Sequence, residues 1–101
     1  MTNPSNALTL PEGLRLGLED LAGDVACARR SNDLGRLALL CYFEIRRWAR
    51  LAGEQHLADL SGALVSEHPA RDRRTFLDQV NGVVIELEHV CERAGIHASL
   101  K

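Results

Sequence analysis

What most constrains this chain is a set of apolar stripes recurring at spacings of four and three. One passes through Leu14, Leu18, Leu21, Val25 and Ala28. A second passes through Leu34, Ala38, Cys41, Ile45, Trp48 and Ala52; Leu37, Leu40 and Phe43 widen it, and Leu39 and Tyr42 sit further round. Leu57, Leu60, Ala63 and Leu64 make a third, and Phe76, Val80, Val83, Leu87, Val90 and Ala94 a fourth, with Val84 and Cys91 beside it. Such spacing collects side chains on one face of an α-helix, whereas a strand would collect alternate residues. Each stripe must be covered, and a chain of 101 residues can cover them only by packing the helices on one another.

Turn signals separate the stripes. Thr9 followed by Glu12 fits a capping box and Pro11 suits a first helical turn, so the first helix is expected over 10–30. Gly13, Gly17 and Gly23 each cost about 1 kcal/mol relative to alanine inside a helix; they either admit a close neighbour or mark an irregular start. Ser31-Asn32-Asp33 is a turn and cap cluster ahead of a second helix over 34–52. Gly53 is a C-cap, a third helix is expected over 54–67, and His68-Pro69 ends it. The fourth is expected over 70–94, with Gly95 as its stop. Asn81-Gly82 could instead turn a hairpin, but its flanks do not alternate and the helical spacing continues through the pair. Short links between helices join antiparallel neighbours. The expected fold is therefore an all-α, antiparallel up-down four-helix bundle over 9–96, with an N-terminal tail at 1–8 and a C-terminal tail at 97–101.

Composition removes several function classes. With 46% hydrophobic and 26% charged residues the chain can form a core, and no apolar run approaches the ~20 residues of a membrane span. The first residues lack the basic start and apolar stretch of a secretory signal. The net charge of −2 does not point to nucleic acid. Cys27, Cys41 and Cys91 are odd in number, widely spaced and free of any CxxC pattern. All three are expected to be reduced and buried on apolar faces, in a cytoplasmic protein of bacterial style.

No constellation for catalysis stands out. Ser31, Ser61 and Ser66 have no motif around them, and Cys91 lies two residues from His89, positions that diverge on a helix. Gly13 and Gly17 do not form a phosphate loop. Glu86-x-x-His89 has the spacing used in di-metal bundles, but it occurs once and its neighbours Val83, Leu87 and Val90 claim the core face. The chain is expected to be no enzyme, with no metal and no cofactor.

The most suggestive surface is on the second helix. Arg36, Arg46, Arg47 and Arg50 accompany Tyr42 and Phe43, and arginine with aromatics is the composition enriched at protein interfaces. The same cations also suit the negative end of a helix dipole. Elsewhere, Arg71, Arg73 and Arg74 open the fourth helix against the dipole. Its second half carries Glu86, Glu88 and Glu92, and Glu19, Asp20 and Asp24 form another acidic patch. Segregated charge of this kind could pair across a two-fold dimer.

The stretch from Asp33 to Val90 resembles a histidine-containing phosphotransfer domain. The residues that carry the likeness are Asp33-Leu34 with Leu37, the run Leu51-Ala52-Gly53-Glu54-Gln55-His56-Leu57-Ala58-Asp59-Leu60-Ser61-Gly62-Ala63-Leu64, Phe76-Leu77, and Ile85-Glu86-Leu87-Glu88-His89-Val90. The resemblance implies a four-helix bundle that docks acidic response-regulator receiver domains. Counting back from Gly53, the family's phosphorylated histidine falls at Phe43, its lysine at Arg46 and its glycine at Arg47. Phosphoryl relay needs a nucleophilic imidazole nitrogen, which phenylalanine lacks. The implied member is degenerate and relays nothing. The expected function is a non-enzymatic protein-interaction module in signal transduction, a pseudo-phosphotransfer adaptor for a receiver or kinase partner, with Arg36, Tyr42, Phe43, Arg46, Arg47 and Arg50 as its binding face. The alternatives are a structural homodimer whose central-helix face is self-buried, and a small nucleic-acid-binding regulator.

Overall fold

A computed structural model of the chain describes residues 10–66, 73–97 and Leu100. The described residues form four helices and no strand. Helix α1 is Glu12–Arg30. Helix α2 covers 34–52 and is built from an α segment Leu34–Leu39, a π turn Leu40–Glu44 and a second α segment Ile45–Ala52. Helices α3 and α4 are Gln55–Ser66 and Arg73–Arg93. Helix α1 packs on α2 and α4, and α3 packs on α2 and α4. The molecule is elongated, 50 × 28 × 19 Å.

Three helices end in the same device. Asn32 (φ 54°), Gly53 (φ 76°) and Gly95 (φ 77°) are left-handed. After each, the next amide reaches back into the last turn: Asp33 to the Ala28 carbonyl at 2.9 Å, Glu54 to Ala49 at 2.8 Å and Ile96 to Cys91 at 2.8 Å. This is the Schellman closure, which satisfies carbonyls that the helix end would leave bare. Asp33 also opens α2, its Oδ1 accepting the Arg36 amide at 3.1 Å. One short link thus closes a helix and caps the next.

Helix α1 starts two residues later than expected. Pro11 occupies the N-cap position without a side-chain bond, so Glu12 is the first helical residue and not the third that a capping box requires. Thr9 lies outside the described residues, as do His68-Pro69 and Arg71. Helix α4 runs unbroken through Asn81-Gly82, which removes the hairpin alternative. Asn81 Oδ1 instead accepts a bond from Arg29 Nη1 at 2.8 Å, tying α4 to α1.

The core joins all four helices, with Leu18, Val25, Cys41, Ile45, Leu57, Leu87 and Val90 sealed from solvent. Gly17 does admit a close neighbour: a Cβ there would stand 3.2 Å from Trp48 Cδ1, while Gly13 and Gly23 have open space. Trp48 is buried against α1 and its indole N–H donates to the Leu14 carbonyl at 2.8 Å. One expectation of burial fails. Cys27 is exposed, because it lies two residues from buried Val25 and so points to the other side of α1. Beyond α4, Leu100 is 0% exposed and its N–H donates to Glu88 Oε2 at 3.3 Å.

Candidate functional site

The π turn decides what α2 presents. On a straight helix, at about 100° per residue, the buried set Ile45, Trp48 and Ala49 would lie nearly one residue out of phase with Leu37, Leu40 and Cys41. The Ile45 amide bonds to the Leu40 carbonyl, five residues back, and the extra residue in that turn brings the two sets onto one face. The expected seam is corrected accordingly: Leu37 and Leu40 are buried, whereas Leu34 and Ala38 are only half-buried. Phe43 does not widen the seam. It lies two residues from both Cys41 and Ile45, faces outward, and is 58% exposed.

Five of the six expected binding residues line one groove. Tyr42, Phe43, Arg46, Arg47 and Arg50, joined by Leu51, surround an open trough of about 420 Å³. The Tyr42 and Phe43 rings stack at a tilt of 56°, with centroids 4.4 Å apart. Arg46 lies across Gly62 of α3, where a side chain would meet its Nε at 3.8 Å. None of Arg46, Arg47 and Arg50 forms an ion pair among the described residues. Arg36 is set apart. It faces Asp24 of α1 at 4.0 Å and lines a neighbouring groove that shares only Phe43 with the first.

Leu51 was not among the expected residues, although it is 66% exposed. Its signal was present: Leu39, Phe43, Arg47 and Leu51 recur every fourth residue and fall outside the seam once Cys41 and Ile45 are taken as its centre. On the α1 side of that ridge lies a second trough of about 320 Å³, lined in part by Asp20, Asp24, Glu44, Arg47 and Leu51. Arginine donors and exposed aromatic area equip the first groove to hold carboxylates or phosphates beside an apolar contact.

Glu86, His89, Cys41 and Cys91 have partners or burial within the fold. Glu86 and His89 pair at 3.6 Å, and Glu86 also faces Arg93 at 3.9 Å. Arg93 reaches Glu54 at 2.9 Å, which fastens the α2–α3 link to the end of α4. Cys41 and Cys91 are sealed in the core. Burial pushes the Cys41 thiol up to about 12. Burial, aided by the nearby Glu88 and Glu92 carboxylates, pushes the Cys91 thiol up to about 11. Thiols held protonated in this way are inert as nucleophiles. No helix among the described residues is long and apolar enough to cross a membrane. No protein-family model, curated protein or solved structure matches this chain.

Proposed function

We propose that this chain is a non-enzymatic interaction module that docks an acidic partner domain on the arginine face of α2 and relays no phosphate. The observation that carries this reading is the groove: three guanidiniums without ion pairs among the described residues, set around exposed Phe43 and the half-buried Tyr42 ring tilted against it. Phe43 adds nothing to the core, so its apolar area is free to be covered by a partner. Carboxylates on that partner would take charge-assisted hydrogen bonds from the arginines. The likeness to phosphotransfer domains supports a receiver domain as the partner. Phe43, standing where the family nucleophile stands, then acts as a contact and not as an acceptor.

In this reading the four helices run alternately up and down. The links Ser31-Asn32-Asp33 and Gly53-Glu54 support that order, because links so short join antiparallel neighbours. Such an adaptor would act in the cytoplasm, where receiver domains work.

Titrating purified receiver domains against the fluorescently labelled chain tests the proposal. Binding should weaken at least ~10-fold in the Phe43→Ala/Arg47→Glu variant, equivalent to the loss of one good contact. Equal binding by wild type and variant, or no binding by any receiver, would reject it. Incubation with a radiolabelled phospho-receiver should leave the chain unlabelled, and stable labelling would overturn the role given to Phe43.

A further inference from the structure

We infer that the α1–α2 face is also the contact surface for a second copy of this chain. The ridge of Phe43, Arg47 and Leu51 on α2 separates two flanks of opposite charge. Toward α3 stand Arg46 and Arg50; toward α1 stand Asp20, Asp24 and Glu44. Arg36 answers Asp24 within the monomer, but Asp20 and Glu44 form no ion pair among the described residues, and neither do the groove arginines. Of the exposed large apolar side chains among the described residues, Leu16, Leu39, Phe43 and Leu51 lie on these two helices and Ile85 on α4.

Phe43 and Leu51 between a basic flank and an acidic one make a surface complementary to itself. A two-fold axis in the plane of contact, running along the ridge, exchanges the flanks, so Arg46 and Arg50 of each copy meet the other copy's acids, while Arg47 on the ridge borders the acidic trough as well. A partner offering acids alone answers only the basic flank and leaves Asp20 and Glu44 unanswered. A second copy answers both flanks and covers the ridge. The inference rests on the arginine face described above and adds regulation to it: a second copy and an acidic partner domain compete for Arg47 and Arg50, so self-association closes the docking face.

Sedimentation velocity on the full chain, from dilute to concentrated at low salt, tests this. The mass should rise from 11.1 kDa toward twice that value with concentration, and fall back as salt screens the charges. The variants Arg47→Glu/Arg50→Glu and Asp20→Arg/Glu44→Arg should each remain at 11.1 kDa. All four positions are exposed, and circular dichroism verifies that each variant is folded. Mixing the two variants should restore the doubled mass, because native charges pair on one flank and reversed charges on the other. A wild type that never exceeds 11.1 kDa overturns the inference, as does a dimer indifferent to both reversals or a pair of variants that fails to recombine. The two readings fail separately. A strictly monomeric chain whose receiver binding is lost in Arg47→Glu/Arg50→Glu keeps the docking function and loses the dimer. Recombining dimers that bind no receiver domain do the reverse.

Discussion

Ser61 sits in α3 with no exposure, and its Oγ has no hydrogen-bond partner among the described residues. A buried hydroxyl left unpaired costs roughly 1–3 kcal/mol, and alanine is also the better helix former. Ser61→Ala is therefore expected to stabilise the fold by up to about 1 kcal/mol in urea unfolding, and a clear loss would reveal a partner for the hydroxyl. The two buried thiols make a second residue-scale prediction. An unfolded thiol ionises near 9.0, whereas Cys41 and Cys91 hold their protons up to about 12 and about 11. Above pH 9 the unfolded chain releases protons that the folded one retains, so stability is intact below that pH and falls as pH rises toward the folded values. The slope should reach about 1.4 kcal/mol per pH unit for each thiol. Denaturant titrations at stepped alkaline pH should show a shallower fall in Cys41→Ala, and identical slopes would refute the assignment. Burial of Cys41 and Cys91 was legible from their stripes. Exposure of Cys27 and Phe43 was legible too, by counting two residues from a buried position, but stripe-reading that admits every apolar residue overlooks it.

At the scale of the element, α1 carries glycines in two situations. Gly23 has open space around an added Cβ, so Gly23→Ala should stabilise by about 0.5–1 kcal/mol through helix propensity. Gly17 has the Trp48 ring at 3.2 Å, so Gly17→Ala must displace the indole and should gain less, or lose. Parallel urea titrations of the two variants check the difference; equal gains would mean that Trp48 yields freely. Sequence reading raised close approach as one reason for these glycines but could not say which of them needed it, because the indole arrives from α2. The π turn was hidden for a related reason. Four-three spacing through 34–52 describes one straight stripe, and only packing between α1 and α3 shows that the two halves must rotate to share a face.

For the molecule as a whole, Ala94, Ile96 and Leu100, which follow α4, pack against the core. Arg15 Nη1 donates to the Ala94 carbonyl, and Ile96 and Leu100 are buried. Leu100→Ala should cost about 2 kcal/mol or more, as for any sealed leucine, with the loss read from thermal or urea unfolding. A change within about 0.5 kcal/mol would mean that Leu100 adds nothing to the core. Nothing local marked Leu100, since it stands outside every apolar stripe of the sequence. The same scale governs the arginine face: its residues are neighbours on one helix, but their acidic counterpart is assembled from α1 and α2 together.

Periodicity and punctuation settled the helices, because which side of a helix is apolar is a property of adjacent residues and about 100° of rotation between them. They also settled where α2 and α4 stop, since Gly53 and Gly95 adopt a backbone conformation that other residues resist. Contact alone decided which glycine faces a tryptophan, how far α2 turns at residues 40–44, that Leu100 is covered, and that a basic flank and an acidic flank share one ridge. Those outcomes depend on atoms distant in the chain meeting at close range, and no local spacing encodes that meeting.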